Sequence, residues 1–435
     1  MKKSFILFFF TFLFIAGAAK AQWTYEGVFP PANPDTVKGS THGIAVDPDG
    51  KIWAADYFAN EKITNASGDT LAVHSVKVYY PDGKEAEFSP IKTISVGPFV
   101  TDTLWGNIRG MRADNEGNIL VVTSTPFMMY KFNYKDGSGM NSLNFASTPL
   151  GENSPTAPAV DEFGDIYVAP VISGLPLIML DKDFNYIGNA IKSTIGFSRA
   201  FEISKDGNRI YWSGYTNGAI YIYERPNVFA DYDSAATILE GFHAESFAWN
   251  PSDGNLYISA GSYNDVPTNG YTPGFWYAYD VKADAVVDSF SWRFTTLASP
   301  GERPRAIDFS PDGKTAYVGA FGVTSIPLIE KFHNNNLVSV KRSSSNLVEN
   351  FSLSQNYPNP FNPSTNFKFE IPKESFVTLK IYDTLGGEVA EIFSGSMSAG
   401  IHEITFDASG MSSGIYFYTL KAGAFTATKK MTLLK

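Results

Sequence analysis

The chain has 435 residues, 44 acidic and 34 basic side chains, and no cysteine. Without thiols, disulfides and thiolate metal sites are excluded, so stability must come from buried apolar area, which a chain this long can supply. The acidic balance argues against nucleic acid or an anionic membrane as a partner, because phosphate binding needs a basic face.

The N-terminus reads as a secretory signal. Lys2 and Lys3 form a basic start, Phe5 to Ile15 an apolar run, and Ala19-Lys20-Ala21 a small-x-small cleavage pattern. Residues 1–21 are therefore expected to be removed, with the Sec machinery and signal peptidase as partners. Their loss leaves 31 basic and 44 acidic residues, a net charge of −13. No later apolar run reaches about 18 residues, so no transmembrane segment is predicted in the mature protein.

Residues 22–337 carry a sixfold repeat. GIAVDPDGKIWAA begins at Gly43, GMRADNEGNILVV at Gly110, APAVDEFGDIYVA at Ala157, AFEISKDGNRIYWS at Ala200, SFAWNPSDGNLYISA at Ser246 and AIDFSPDGKTAYVGA at Ala306. Each is a strand, a polar turn ending in Gly, and a second strand rich in β-branched and aromatic residues. The turn glycines, Gly50, Gly117, Gly164, Gly207, Gly254 and Gly313, are 67, 47, 43, 47 and 59 residues apart. Such periods with short strands predict a β-propeller, and six copies predict six blades. The last repeat lacks a fourth strand. The lone strand Trp23 to Phe29 is predicted to supply it and close the ring, removing the open edges. Val73 to Phe88 reads as an extended hairpin and Tyr263 to Phe275 as a loop.

Alignment of the repeats exposes one column. The residue before each inner strand is His42, Arg109, Thr156, Arg199, Glu245 or Arg305. Inner strands line a propeller's channel, so these six are expected to ring one mouth. The second strands return to that face and bring Asp56, Tyr57, Tyr215 and Phe321. Arg offers forked hydrogen bonds to carboxylate or phosphate, and Tyr a flat face with a polar tip, so an anionic or sugar-like ligand is the expectation. The alternative is a solvated channel whose charges pair internally, as Glu245 would with Arg199 or Arg305.

After a Ser-rich stretch, 338–350, expected to be a linker, residues 351–435 change character. Phe367, Phe369 and Ile371 alternate with polar residues, as do Val377, Leu379 and Ile381. Period two means half-buried strands, and six or seven of them in this length suggest a small two-sheet sandwich. The motifs NYPNPFNPST, IYDTLGGEVA and SSGIYFYTLKAG, followed by a Lys-containing last strand, resemble the type A C-terminal sorting domain of the type IX secretion system. The residues carrying that likeness are Tyr357, Pro358, Asn359, Pro360, Phe361, Gly414, Tyr416, Lys429 and Lys430. The resemblance implies an immunoglobulin-like sandwich, recognition by the type IX translocon, and removal by a cell-surface sortase, leaving the cargo anchored or released. The hairpin repeats resemble propellers of the NHL, gluconolactonase-like and YVTN kinds.

Other motifs carry less. Asp47-Pro48-Asp49-Gly50 and Ser310-Pro311-Asp312-Gly313 look like calcium-loop fragments but sit where a hairpin must turn. Gly410 to Gly414 fits G-x-S-x-G without the strand-turn-helix setting that a nucleophile elbow needs. No catalytic residue, metal ligand or cofactor is predicted, though a divalent metal in the channel stays open. The leading expectation is an all-β, exported binding protein at the cell surface or secreted, with a small-molecule, glycan or protein ligand. An exported hydrolase or lyase acting on a sugar or lactone is the alternative. It gains if Asp56, His42 and Glu245 converge within hydrogen-bond reach. A protein-interaction scaffold is the third reading.

Overall fold

The computed structural model describes residues 23–31, 40–65, 67–97, 100–228, 230–262, 265, 269, 271–291, 303–322, 329–334, 340–343, 351–372, 375–397, 400–423 and 425–435. Residues 1–21, expected to form a secretory signal, and much of the loop predicted at Tyr263 to Phe275 lie outside them.

Among the described residues of the repeat region, six antiparallel sheets follow one another, and each begins with one of the six repeats. The first holds Thr41–Val46, Ile52–Asp56 and Val76–Tyr79. The next four begin at Asn107–Ala113, Ala159–Val160, Phe201–Ile203 and Phe247–Trp249. The sixth runs Arg303–Phe309, Thr315–Phe321, Ile329–Asn334 and then Trp23–Phe29. The N-terminal strand thus completes the last sheet, antiparallel, with Trp23 opposite Asn334 and Phe29 opposite Ile329. All six turn glycines have positive φ, between 64° and 89°, where an L side chain is strained.

The apolar runs of the second strands follow from burial on both faces. Ile119 and Val121 pack toward the first sheet, whereas Leu120 and Val122 pack toward the third. The same division recurs at every junction. One apolar cluster fills each gap from the first sheet round to the sixth, and a last one joins Phe29, Ala306, Tyr317 and Ile329 to Ile44, Ile52 and Tyr79 of the first. The ring is closed, and the protein is a β-propeller followed by a separate sandwich.

The first sheet departs from the repeat. The hairpin predicted at Val73 to Phe88 provides its third strand, and the chain returns past it with bridges Tyr79 to Glu85 and Val76 to Ile91. Two further hairpins, Glu61–Thr64 with Thr70–Val73 and Thr93–Val96 with Val100–Thr103, lengthen this interval. They account for the 67-residue first spacing.

The C-terminal unit is two four-stranded sheets. One contains Val340–Ser343, Gly400–Asp407, Ser364–Ile371 and Ser352–Leu353; the other contains Glu388–Met397, Ser375–Tyr382, Gly414–Ala422 and Phe425–Leu433. Phe367, Phe369, Ile371, Val377, Leu379 and Ile381 all face one shared core. Val340–Ser343, inside the stretch expected to be a linker, pairs antiparallel with Gly400–Asp407 as an edge strand.

Candidate functional site at the mouth of the channel

The channel throat is lined from all six sheets. His42, Arg109, Arg199, Glu245 and Arg305 line it together with Ala157, and the free space among them is only ≈ 20 Å³, enough for about one water. A larger ligand must therefore sit above this ring rather than inside it.

Backbone irregularity aims several of these side chains. In the first sheet Thr41 pairs with Asp56 and Gly43 with Ala55, which leaves His42 as the extra residue of a bulge. Arg109 is skipped between Ile108 and Gly110, and Arg305 between Pro304 and Ala306. A bulge leaves one residue out of the ladder and re-aims its side chain. Three members of the predicted column are presented by the same device.

Glu245 is the carboxylate at the centre. It is 1% exposed, stands 2.5 Å from Arg305 Nε and lies 3.7 Å from Arg303 Nη1. Burial raises the Glu245 carboxyl above its ordinary value, although Arg305, Arg303 and Arg199 oppose that rise. Burial likewise pulls Arg305 down to about 9, with Glu245 working against it and Arg199, Arg109 and Arg303 adding to it. Arg109 and Arg199 are lowered as well, first by burial. Four guanidiniums thus crowd around one carboxylate. Arg109 Nε, Arg199 Nε, both Nε and Nη1 of Arg305, and both Glu245 oxygens are buried without a well-formed hydrogen bond among the described residues.

Aromatic rings back the guanidiniums. Arg109 lies 5.5 Å over Tyr57, Arg199 4.2 Å over Phe197 and Arg305 5.4 Å over Phe321. His42 packs between Tyr57 and Phe321 and is 5% exposed. Its Nδ1 lies 3.0 Å from the Arg109 carbonyl. A carbonyl only accepts, so Nδ1 carries the proton and the ring is held in one tautomer. Burial, then Arg109 and Arg305, hold its pKa well below the usual value, so His42 is neutral. Phe58, half exposed, stacks on Phe321 at the rim.

Two predicted members do not join the ring. The Thr156 hydroxyl, buried, lies 3.3 Å from the carbonyl oxygens of Ala157 and Ala169, and Ala157 lines the throat in its place. Asp56 is bound to Asn60 Nδ2 at 3.0 Å, and burial pushes it up to about 6. Among the described residues no hydrogen bond joins Asp56, His42 and Glu245, the contact on which the enzyme alternative depends. His42 is held by Arg109, Asp56 by Asn60, and Glu245 by Arg303 and Arg305. Tyr215 does reach the ring, because Arg303 Nη1 donates to its hydroxyl at 3.5 Å.

Arg303 was missed by the repeat alignment. Arg303 lies two residues before Arg305, outside the aligned column, and the bulge at Arg305 brings both toward Glu245. Arg112, the other omission, lies deeper in the channel and pairs with Glu202 at 2.5 Å. The turn acids are structural. Asp47 accepts the backbone N–H groups of Asp49 and Lys51 and the indole N–H of Trp53. Among the described residues, no three His or acidic side chains are placed to hold a metal ion.

In the sandwich, the Pro-Asn segment is fastened to the last strand. Asn359 Oδ1 accepts from Thr432 N, Phe361 N donates to Thr432 O, and Leu434 N donates to Phe361 O. Pro358 O accepts the Thr365 hydroxyl, and Phe361 is buried in the core. Tyr357, beside them, is 79% exposed. Gly414 opens its strand, Tyr416 donates to Ser412 O, and Lys429 and Lys430 stand exposed on the last strand.

A closed propeller followed by a separate sandwich defines the class of protein. Residues 355–433, the sandwich, match the family of secretion system C-terminal sorting domains, Por_Secre_tail. The chain is a substrate of the type IX secretion machinery, exported to the cell surface or outside. No curated protein matches the chain. Among solved structures it is similar to a virginiamycin B lyase from Staphylococcus aureus, with 9% identity over 72% of this chain and 99% of that one, TM-score 0.42. It is similar to a gluconolactonase from Xanthomonas campestris, with 13% identity over 68% and 88%, TM-score 0.46. It is also similar to a regucalcin from Agrobacterium tumefaciens, with 10% identity over 71% and 93%, TM-score 0.46.

Proposed function

We propose that the propeller is a six-bladed binding module, delivered to the outer surface by its C-terminal domain, and that the mouth at the His42 end takes a ligand bearing a carboxylate or phosphate group. The observation that carries this reading is the excess of guanidinium over carboxylate at one ring, with buried N–H groups on Arg109, Arg199 and Arg305 that have no partner among the described residues. Buried donors without partners are costly, and an anion meeting several guanidiniums at once satisfies them. The aromatic rim of Tyr57, Phe58 and Phe321 suits the flat face of a sugar ring or an aromatic acid. Residues 1–21 would be lost on the way out and the sandwich removed after it, with the sortase cutting near residues 338–350.

A thermal-shift comparison of glucuronate with glucose on the full chain tests the proposal. Glucuronate is expected to raise the melting temperature and glucose to do less, since a ligand that binds only the folded state stabilises it. Arg109→Ala is the variant of choice, because Arg109 has no acidic side chain within ion-pair distance among the described residues. It should abolish the shift and leave the basal melting temperature close to wild type. Equal shifts from glucose and glucuronate, or a shift that survives Arg109→Ala, would remove the anionic site.

A further inference from the structure

The opposite end of the channel, where the repeat turns lie, holds a second and larger space of ≈ 300 Å³. That volume is at the lower end of the range for small-molecule sites. Its walls are the exposed turn residues Pro48, Pro251 and Pro311 and the half-buried Trp249, whose indole N–H is held by Ile203 O. Its floor is the deep charge cluster of Arg112, Glu202 and Asp308.

The charges on this floor do not balance. Arg112 is taken by Glu202 at 2.5 Å and by the Phe247 carbonyl at 3.1 Å. The acids nearer the rim have their own cations, Lys51 for Asp47 and Lys131 for Asp114. Asp308 is left without an ion-pair partner among the described residues. Its two oxygens each accept one backbone N–H, from Val46 and from Phe309. A carboxylate accepts about four hydrogen bonds, so the described residues fill about half the capacity of this cavity-lining side chain. Burial raises both Asp308 and Glu202 although Arg112 opposes the rise at each, so negative charge on this floor is costly and a further cation beside Asp308 would offset it.

We propose that this cavity is a second binding site, for an alkylammonium cation whose charged end meets Asp308 and whose methylenes lie against Trp249 and the three prolines. A bare metal ion would leave most of the space empty, and an anion would meet Asp308 directly. An ammonium supplies three donors to an acceptor with free lone pairs, and an indole face attracts a cation. The alkyl part suits proline walls, which offer no donor. This site is independent of the reading given to the Arg-lined mouth.

Titration calorimetry of the purified full chain tests it with three probes: n-butylamine hydrochloride, the capped tripeptide acetyl-Gly-Lys-Gly-amide, and 1-butanol. Saturable heat from butylamine and none from butanol is expected. Heat from the tripeptide as well would assign the site to lysine side chains, and heat from butylamine alone to free amines. Asp308→Asn should weaken binding about tenfold or more, the loss expected for a charge-assisted contact. Should Asp308→Asn not fold, Pro311→Lys is the second variant. Lys205 occupies the matching turn position of the fourth repeat, so the turn tolerates lysine. A tethered ammonium at the rim competes for the floor or repels the ligand, and binding should again fall about tenfold or more. No saturable heat from butylamine, equal heat from butanol, or unchanged affinity in a folded variant would overturn the proposal.

Discussion

Arg305 and Glu245 stand 2.5 Å apart, Nε to carboxylate, with side chains 3% and 0% exposed. The pair ties the innermost strand of the sixth sheet to the entry of the fifth. Burial works against both charges, so neither is tolerable alone. Arg305→Ala should therefore destabilise the chain by about 3–5 kcal/mol, because the buried carboxylate loses its short ion pair and keeps only the longer one to Arg303, at 3.7 Å. Adding Glu245→Gln to Arg305→Ala should recover much of the loss. Calorimetric melting of wild type and both variants decides it, and a double variant no more stable than the single would contradict the account.

His42 gives the mouth a pH signature. In the unfolded chain its imidazole takes a proton as pH falls through about 6.5. In the folded chain burial and the guanidiniums of Arg109, Arg305 and Arg199 keep it neutral to well below that pH. The unfolded state then binds more protons, so stability falls as pH drops below about 6.5. His42→Gln removes this contribution and keeps an N–H for the Arg109 carbonyl. Denaturant melts at pH 7 and pH 5 should show a smaller loss in His42→Gln than in wild type. An equal loss would place the pH dependence elsewhere.

The framework was legible because its causes are local. Strands buried on both faces write continuous apolar runs such as Ile119 to Val122, and the turns between them need φ > 0, hence the six glycines. The edge left by the last repeat pointed to Trp23–Phe29. The mouth was legible as a column because the repeats share register. What escaped depends on details that the register hides. The bulges that aim His42, Arg109 and Arg305 leave no mark in composition. Thr156 turned away because its hydroxyl found backbone carbonyls close by. Arg112 lies three residues past Arg109, beyond the column, and its partner Glu202 comes from a sheet 90 residues on.

Asp56 should be a stability liability at neutral pH. Burial raises it to about 6, and its Oδ1 is buried without a partner among the described residues. A raised carboxyl favours folding while it stays protonated, and that advantage is lost as pH rises through about 6. Asp56→Asn keeps an oxygen for Asn60 and carries no charge. At pH 7 it should stabilise the chain by about 1–3 kcal/mol, and at pH 4 by much less. Equilibrium unfolding at the two pH values measures the difference. A variant less stable than wild type at pH 7 would show that the Asp56 charge has a partner that matters more than its burial.

Closure of the ring gives the last prediction. Trp23 is 5% exposed and packs against Phe290 at 5.2 Å, Tyr257 at 5.7 Å and Phe309 at 5.8 Å between ring centroids. Its indole N–H donates to the Tyr257 hydroxyl at 3.2 Å. Tyr257 and Phe290 belong to the fifth sheet and Phe309 to the sixth, so one side chain from the N-terminal strand bridges two blades. Trp23→Ala should cost about 3–5 kcal/mol from lost burial and the cavity left behind. The loss should fall on the propeller alone, because the sandwich has its own core. Hydrogen exchange should then show faster opening at the sixth sheet, beginning with the Ile329–Asn334 strand that pairs with Trp23–Phe29. Trp23→Phe, which keeps an aromatic ring and loses only the N–H and part of the volume, should restore most of the stability. If Trp23→Ala melts with wild type while the Ile329–Asn334 amides stay protected, the N-terminal strand does not hold the ring shut.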